Sequence, residues 1–400
     1  MRPRAGFSLL EALVASVIVV IAMVSLLNLF DANGRLAAAQ IQISEMQQAG
    51  RVAQLELIKL ARMAGRGSLP RGVLPQSLAL AVRNGGVGAA EHIAAGDEDA
   101  PRVLAGTDVL TVRGVLSTPI FKLDPRVNPL QLDDPTLPAT GSVVIQDPGP
   151  MGVPQGLGPL IAAIASRRPE ALVLVGPLGQ FSMVELDPLT SNSSDPAAVR
   201  IGFKIGAGTH GAAYLGLAGG FPATLRSIVF LGILEEHRFY IRDDRDSEAA
   251  PLRDLTPRLS RARFYPATEV AYPGTDSLKL DYADGILDLQ LALGIDRDGN
   301  GQILDTGGAD DEWLYNHQDD DPADPAWNGI AGATPPALFY LRISTLARTI
   351  RPDRGHAARP LTVLEDRVYG ETLLPASQQE REGRLFHRSV LQTMVDLRNL

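Results

Sequence analysis

The sequence predicts an α+β protein: one long N-terminal helix, membrane-spanning in its first half, packed on an antiparallel β-sheet domain with long loops. Three observations predict it. Ala12 to Phe30 form an apolar run, and Glu11 is the only charge between Phe7 and Phe30; about 20 such residues cross a bilayer as a helix. From Leu36 through Ala39, Ile43, Met46, Gly50, Ala53, Leu57 and Leu60 to Ala64, apolar or small residues fall three and four apart. That spacing draws one stripe along a helix. Beyond Pro70 the chain breaks into short segments of period-two alternation separated by Pro, Gly and Asp, the pattern of half-buried strands.

A helix from Phe7 to Ala64 would be about 85 Å long at 1.5 Å per residue. Residues 7–30 form its membrane half and residues 31–69 its outer amphipathic half. Asn33-Gly34 is the expected weak point, a bend or melted turn, because both are poor helix formers. Gly65, Gly67 and Pro70 end the helix. Glu11 is the informative residue within the span. A carboxylate in a membrane helix costs about 2.5–3.5 kcal/mol on insertion scales unless something pairs with it. The nearest cation would be an α-amine created by cutting before Phe7, on the same chain or a neighbour. Arg2 and Arg4 precede the span and the next basic residue is Arg35, so the positive-inside rule puts the leader in the cytoplasm and the bulk outside, in the periplasm of a two-membrane bacterium.

The run Gly6-Phe7-Ser8-Leu9-Leu10-Glu11, behind the basic leader Met1-Arg2-Pro3-Arg4-Ala5, resembles the class III signal of type IV pilins and type II secretion pseudopilins. The resemblance implies a leader of residues 1–6, cleavage between Gly6 and Phe7 by prepilin peptidase, N-methylation of Phe7, and Glu11 registering one subunit against the next. Two plainer readings compete. An ordinary anchor requires neither Glu11 nor the Gly-Phe junction, and a secretory signal cut after Ala37-Ala38-Ala39 would have an apolar core far longer than the usual ~7–15 residues. A mature N-terminus at Phe7, Met1 or Gln40 separates pilin, plain anchor and secretion.

Further along, a strand ending Leu293-Gly294-Ile295-Asp296, an Asp/Asn/Gly loop, a Trp-containing stretch, the segment Leu341 to Arg348 and the terminal Val395 to Leu400 are together similar to PilW-type minor pilins. The similarity covers the first sixty residues and roughly Tyr240 to Leu400. It leaves 120–225 as a candidate insertion in a domain spanning 70–400. It implies a minor pilin that helps initiate type IV pilus assembly at or near the tip. Its partners would be other minor pilins and the major pilin, met through the N-terminal helix, and its location the inner membrane before assembly and the fibre or cell surface after. A type II secretion minor pseudopilin and a tip adhesin or binding module are the alternatives.

Composition narrows the classes. Without the leader, 35 Lys and Arg face 46 Asp and Glu, a net charge of about −11 against −9 for the whole chain. An acidic surface argues against nucleic-acid binding, where phosphate neutralisation dominates affinity. There is no cysteine, so no disulfide can hold the long loops. With no Gly-x-Ser-x-Gly elbow, no His-Glu-x-x-His helix and no cysteine nucleophile, the expectation is a protein that is not an enzyme.

Within the β region, Thr107 to Arg113 and Gly141 to Gln146 read as strands, with Pro- and Asp-rich loop from Asp124 to Ala139 between them. Ala171 to Val175 and Gln180 to Leu186 read as a hairpin across Gly176 to Gly179. Ile228 to Leu234 and Glu236 to Arg242 are expected to form a long strand pair, the second member with a polar face (Glu236, Arg238, Tyr240, Arg242) and an apolar one. Asp284-Gly285 is expected to close a tight hairpin leading into a strand from Ile286 to Ile295. Gly206-Ala207-Gly208-Thr209-His210-Gly211 matches the dinucleotide pattern. Gly216, Gly219 and Gly220 make a poor helix after it and no βαβ unit surrounds it, so a flexible Gly-rich loop is expected.

One run suggests a cation. Asp296-Arg297-Asp298-Gly299-Asn300-Gly301-Gln302-Ile303 places oxygen side chains at the first, third and fifth positions and Gly at the sixth, as in the first part of an EF-hand-like calcium loop. The candidate ligands are Asp296, Asp298, Asn300, the Gln302 carbonyl and Asp305, with calcium the expected cofactor. The twelfth position is Gly307 rather than Glu, so Asp305, Asp310, Asp311 or Glu312 would have to substitute. A solvated acidic turn is the other reading.

Overall fold

The computed structural model describes residues 9–397 except 68, 70–78, 86–91, 125–130, 133–138, 178–180, 218–226, 246–255, 275–276, 299, 307–310, 322–326, 328–336 and 376. Gly6 and Phe7, on either side of the expected cleavage, lie outside the described residues, as do Gly299, Gly307 and Asp310 of the acidic run. Helix α1 is Leu9–Met63, 55 residues in one piece and about 82 Å long. It runs unbroken through Asn33 and Gly34, which corrects the expected melted turn. A glycine costs a helix about 1 kcal/mol, less than the cost of nucleating it twice, and the Asp31–Arg35 pair at 2.8 Å bridges this turn.

Burial begins abruptly. The first buried residue of α1 is Met46, and Gly50, Ala53, Leu57, Leu60 and Ala64 follow along the expected stripe. Leu36, at the start of that stripe, stays 59% exposed. About 50 Å of helix at 1.5 Å per residue, Leu9 to Gln42, therefore extends ahead of Ile43, which packs against the core. Gly65 and Gly67 stop the helix with φ of 75° and 104°, and Gly65 N–H donates to the Arg113 carbonyl at 3.0 Å.

Beyond α1 the described residues form three antiparallel sheets and a two-stranded ribbon, with strands numbered along the chain. The first contains β1 (Leu80–Arg83), β3 (Val109–Gly114), β11 (Glu235–Asp243), β12 (Arg258–Phe264) and β13 (Leu280–Asp284) in that order, with β2 (Arg102–Val103) pairing β11. The second runs β4 (Phe121–Lys122), β10 (Phe230–Ile233), β7 (Ala171–Val175), β8 (Phe181–Asn192), β9 (Ala198–Ile205), β6 (Ala139–Gln146) and β5 (Gln131–Leu132). The third is β15 (Trp313–Leu314), β14 (Ile286–Asp296), β16 (Ala337–Arg348) and β19 (Arg388–Asp396). A two-stranded ribbon of β17 (Val363–Leu364) and β18 (Arg367–Val368) lies apart.

The expected hairpin of β7 with β8 is present, from Ala171 opposite Glu185 to Val175 opposite Phe181. Two other expected pairings are not. Ile228 to Leu234 and Glu236 to Arg242 do not pair. β10 lies in the second sheet and β11 in the first, because a single residue, Leu234, separates them and a reversal needs a two-residue turn. Asp284-Gly285 likewise closes no hairpin, since β13 pairs β12 while β14 pairs β16. Gly285 is instead a crossing point between sheets. Its N–H donates to the Pro257 carbonyl and its carbonyl accepts from Arg348 N–H, both at 2.7 Å. A Cβ here would sit 2.6 Å from the Arg348 oxygen, and φ is +77°. Strand β12, rich in arginine, has no counterpart in the sequence reading.

The middle of the chain is a unit with its own interior. Gly114 and Glu235 are cross-strand neighbours, so the chain leaves the first sheet and rejoins it at paired positions after building the second. On one face of that sheet Phe121, Ile145, Leu172, Leu174, Val184 and Phe203 pack with Leu160 and Ile164 of helix α2 (Gly158–Ala165). Val173, Val175 and Met183 on the other face join the main core under α1.

α1 lies against β16, β19 and β13. Gly50 lets the helix approach closely: an added Cβ would collide with the Leu391 side chain. Gln54, one turn on, is 7% exposed. Its Nε2 donates to the Leu391 carbonyl at 2.7 Å, and Thr393 Oγ1 donates to its Oε1 at 2.6 Å. Both faces of β11 are covered as well, so its polar face is no solvent face. Glu236 is fully buried between Arg113 (2.6 Å) and Arg238 (2.8 Å), beneath a small cluster of Ile93, Ala100, Tyr240 and Phe264. Glu235 accepts from Ser117 N–H at 2.8 Å and Arg263 at 3.0 Å.

Two outcomes follow for stability. Gln54→Ala removes two hydrogen bonds to half-buried groups of β19 and should cost about 1–3 kcal/mol. It should lower the thermal midpoint of the detergent-solubilised protein, whereas the exposed Gln48→Ala should not; equal midpoints would refute the anchoring role. Burial opposes ionisation of Glu235, but His237, Arg263 and Ser117 outweigh it and hold the carboxyl down at about 2, below its ordinary 4.5. A depressed carboxyl stabilises the fold above its unfolded value and loses that contribution as pH falls from about 4.5 to about 2. Acid titration of Glu235→Gln followed by circular dichroism should therefore show lower stability at neutral pH and a shallower loss across that window.

Candidate functional site

Glu11 sits in the first described turn of α1 and is its acidic residue there, where the helix dipole favours a carboxylate. From it the helix runs without charge to Asp31, whose pairing with Arg35 marks the end of the apolar stretch. The helix is long and apolar enough to cross a membrane: its most apolar window has a mean hydropathy of 2.7 and none of it is buried in the protein. Residues 9–30 cover about 33 Å at 1.5 Å per residue, against ~30 Å for a bilayer's hydrocarbon core.

The second site is the loop between β14 and β15. Asp296, 6% exposed, ends β14 and accepts from Asn300 N–H at 3.1 Å and Gly301 N–H at 2.9 Å. Asp298 accepts from Asn300 N–H at 2.9 Å, and Asn300 Oδ1 accepts from Gln302 N–H at 2.7 Å. Gly301 takes φ of +78°, the sharp bend that its position in the run calls for. The third carboxylate is Glu312, 4% exposed, which accepts from Arg297 N–H at 2.9 Å and Leu304 N–H at 3.0 Å. Oxygens of Asp296, Asp298 and Glu312 lie within 4.8 Å of one another. Each hydrogen-bonded carboxylate oxygen keeps a second lone pair, so this all-oxygen set could hold a hard divalent cation.

Asp305 is not part of that set. Its Oδ2 bonds Arg342 Nη1 at 2.7 Å, and it groups with Asp311 and His317. Gln302 is exposed and linked to the turn through its backbone N–H. The contribution of Glu312, sixteen residues after Asp296, depends on strand pairing: β15 lies on β14 with Trp313 opposite Gly294, which brings Glu312 back beside Asp296. His317 and Asn316 carried no sequence signal.

The Gly-rich run at 206–211 turns with φ of +67° at Gly206 and +103° at Gly208. A short helix α3 (Gly211–Leu217) follows, more order than the glycines suggested. The amides of Thr209 and His210, the kind that cradle a phosphate in nucleotide loops, donate to Glu185 at 2.8 and 2.6 Å. A carboxylate of the protein thus holds the position an anion would need, and the preceding strand β9 is antiparallel to both its neighbours.

Residues 1–27 match the family model for the prokaryotic N-terminal methylation motif. No curated protein and no solved structure matches the chain. The motif and the single long apolar helix that continues it are consistent with an inner-membrane anchor. The chain therefore carries a type IV pilin-like prepilin signal, which implies a substrate of prepilin peptidase and membrane association.

Proposed function

We propose that this protein is a minor pilin of the PilW type, which joins other minor subunits to initiate a type IV pilus at or near its tip. The observation that carries this reading is the methylation motif running directly into a helix whose first half projects, apolar and exposed, from a β-rich body. Such a helix gains by packing beside other helices in the membrane, and Glu11 finds its cation in the Phe7 amine of a neighbour. The three-sheet body would crowd close repeats along a fibre, which suits an end position. The role is structural rather than catalytic, with the bulk periplasmic until assembly. A type II secretion pseudopilin would use the same helix chemistry; loss of twitching rather than of secretion on deletion supports the pilus.

Sequencing of the processed protein should give N-methylated Phe7 as the first residue; Met1 or Gln40 would sink the proposal. Glu11→Ala should leave membrane abundance unchanged, because removing the carboxylate lowers insertion cost. It should sharply reduce recovery in sheared fibres, and normal incorporation would exclude charge registry.

We also propose that the Asp296, Asp298 and Glu312 loop binds calcium, which would staple a long connection in a chain without disulfides. Ligand binding stabilises the folded state by mass action, about 2.7 kcal/mol at a hundredfold excess over the dissociation constant. Millimolar calcium, the range of weak extracellular sites, should raise the melting temperature and magnesium should do so much less. Asp298→Asn, at an exposed position, should remove most of the calcium effect; an unchanged response would leave the loop as an acidic turn.

A further inference from the structure

Asp305, Asp311 and His317 each place a ligand atom within 4.8 Å of the other two. They flank β15: Asp305 and Asp311 precede it and His317 follows it. Asp311 is buried at 5% exposure, and its Oδ2 lies 3.5 Å from His317 Nε2. Its Oδ1 accepts from Trp313 N–H at 3.1 Å, which fixes the carboxylate. Asp305 has Oδ2 on Arg342 and Oδ1 facing the cluster, 3.4 Å from Asn316 Nδ2. Asp320 holds the following turn by accepting from the N–H groups of Asn316 and His317 at 2.9 and 3.1 Å.

Asn316 supplies the independent observation. It is 5% exposed, and its Oδ1 is buried with no hydrogen-bond partner among the described residues. Its Nδ2 points at the two carboxylates, 3.0 Å from Asp311 Oδ2. A buried acceptor without a donor is unfavourable, and native structures rarely leave one. Half a turn of the carboxamide exchanges its oxygen and nitrogen. That turn would aim Oδ1 at Asp305 and Asp311, which is repulsive unless a cation lies between them. A cation there would take the turned oxygen and both acids as ligands, with Nδ2 moved to the place that Oδ1 leaves.

We propose that Asp305, Asp311, His317 and, through Oδ1 of the turned carboxamide, Asn316 bind a divalent first-row transition-metal ion, for which zinc is the probe. An imidazole nitrogen with carboxylate oxygens suits zinc-like ions, whereas the neighbouring Asp296 set is all oxygen and suits calcium. The His317 and Asp305 side chains are 45% and 49% exposed, so an ion reaches the site from solvent without opening the fold. The site is independent of the anchor and of the pilin reading.

The test uses the full-length protein in detergent, stripped with a chelator and titrated with zinc against a chromogenic competitor. Wild type should bind zinc at this site, and His317→Ala should weaken that binding at least tenfold. Asp298→Asn and His356→Ala should leave it unchanged. The partial exposure of His317 keeps its variant folded, which circular dichroism checks. Asn316→Asp should melt lower than wild type in chelator and recover with zinc, because a third carboxylate adds repulsion that the cation removes. Failure of wild type to bind zinc, equal affinity in wild type and His317→Ala, or an Asn316→Asp midpoint insensitive to zinc would each overturn the proposal.

Discussion

The docking of the outer half of α1 on the third sheet is the contact on which the rest of the structure depends. Gly50 permits the close approach to Leu391 and Gln54 bonds β19 across it. Leu57, Leu60 and Ala61 continue the same face into the core. A polar anchor inside an apolar interface is worth little in net energy but costs heavily when mismatched, so it fixes register rather than strength. Because the helix is continuous through Gly34, that register sets the direction in which the apolar half leaves the body. A force on Glu11 and a contact made by the sheets are thus connected through one helix.

The absence of cysteine shifts the work of holding long connections to arginine. Arg384 reaches the carbonyls of Thr372 and Leu373 and the Glu380 carboxylate. Arg342 ties Asp305 to Glu365 and stacks over Trp313. Planar guanidinium groups satisfy several acceptors at once, so each pins two or three segments. The buried carboxylates differ with their surroundings: Asp108, which accepts from the Gly85 and Leu291 amides, and Asp288, paired with Arg367, are pushed up chiefly by desolvation, while Glu235 is held down by its donors.

Two clusters of candidate ligands meet at one place, on either side of the short strand β15. Glu312 turns toward Asp296 and its chain neighbour Asp311 toward His317. Alternation along an extended chain sends adjacent side chains to opposite sides, so one dipeptide supplies both clusters with different chemistry.

The sequence by itself determined the long apolar helix, the methylation motif that opens it, the stripe from Met46 onward and seven of the strands. These follow from local chemistry: hydropathy, period and turn residues act within a few neighbours. The sheet memberships were decided elsewhere. Nothing local distinguishes Gly285 as a crossing from a hairpin turn, because the choice depends on which distant strand offers an edge. The same holds for the sites. Asp296, Asp298 and Asn300 form a turn that spacing alone foretells, but Glu312 completes it only through the pairing of β15 with β14. Asp305, counted with them by proximity along the chain, was drawn instead to Arg342 on β16. Tertiary pairing decided these points because a carboxylate settles where a cation or donor is held, and those groups arrive from strands far away in sequence.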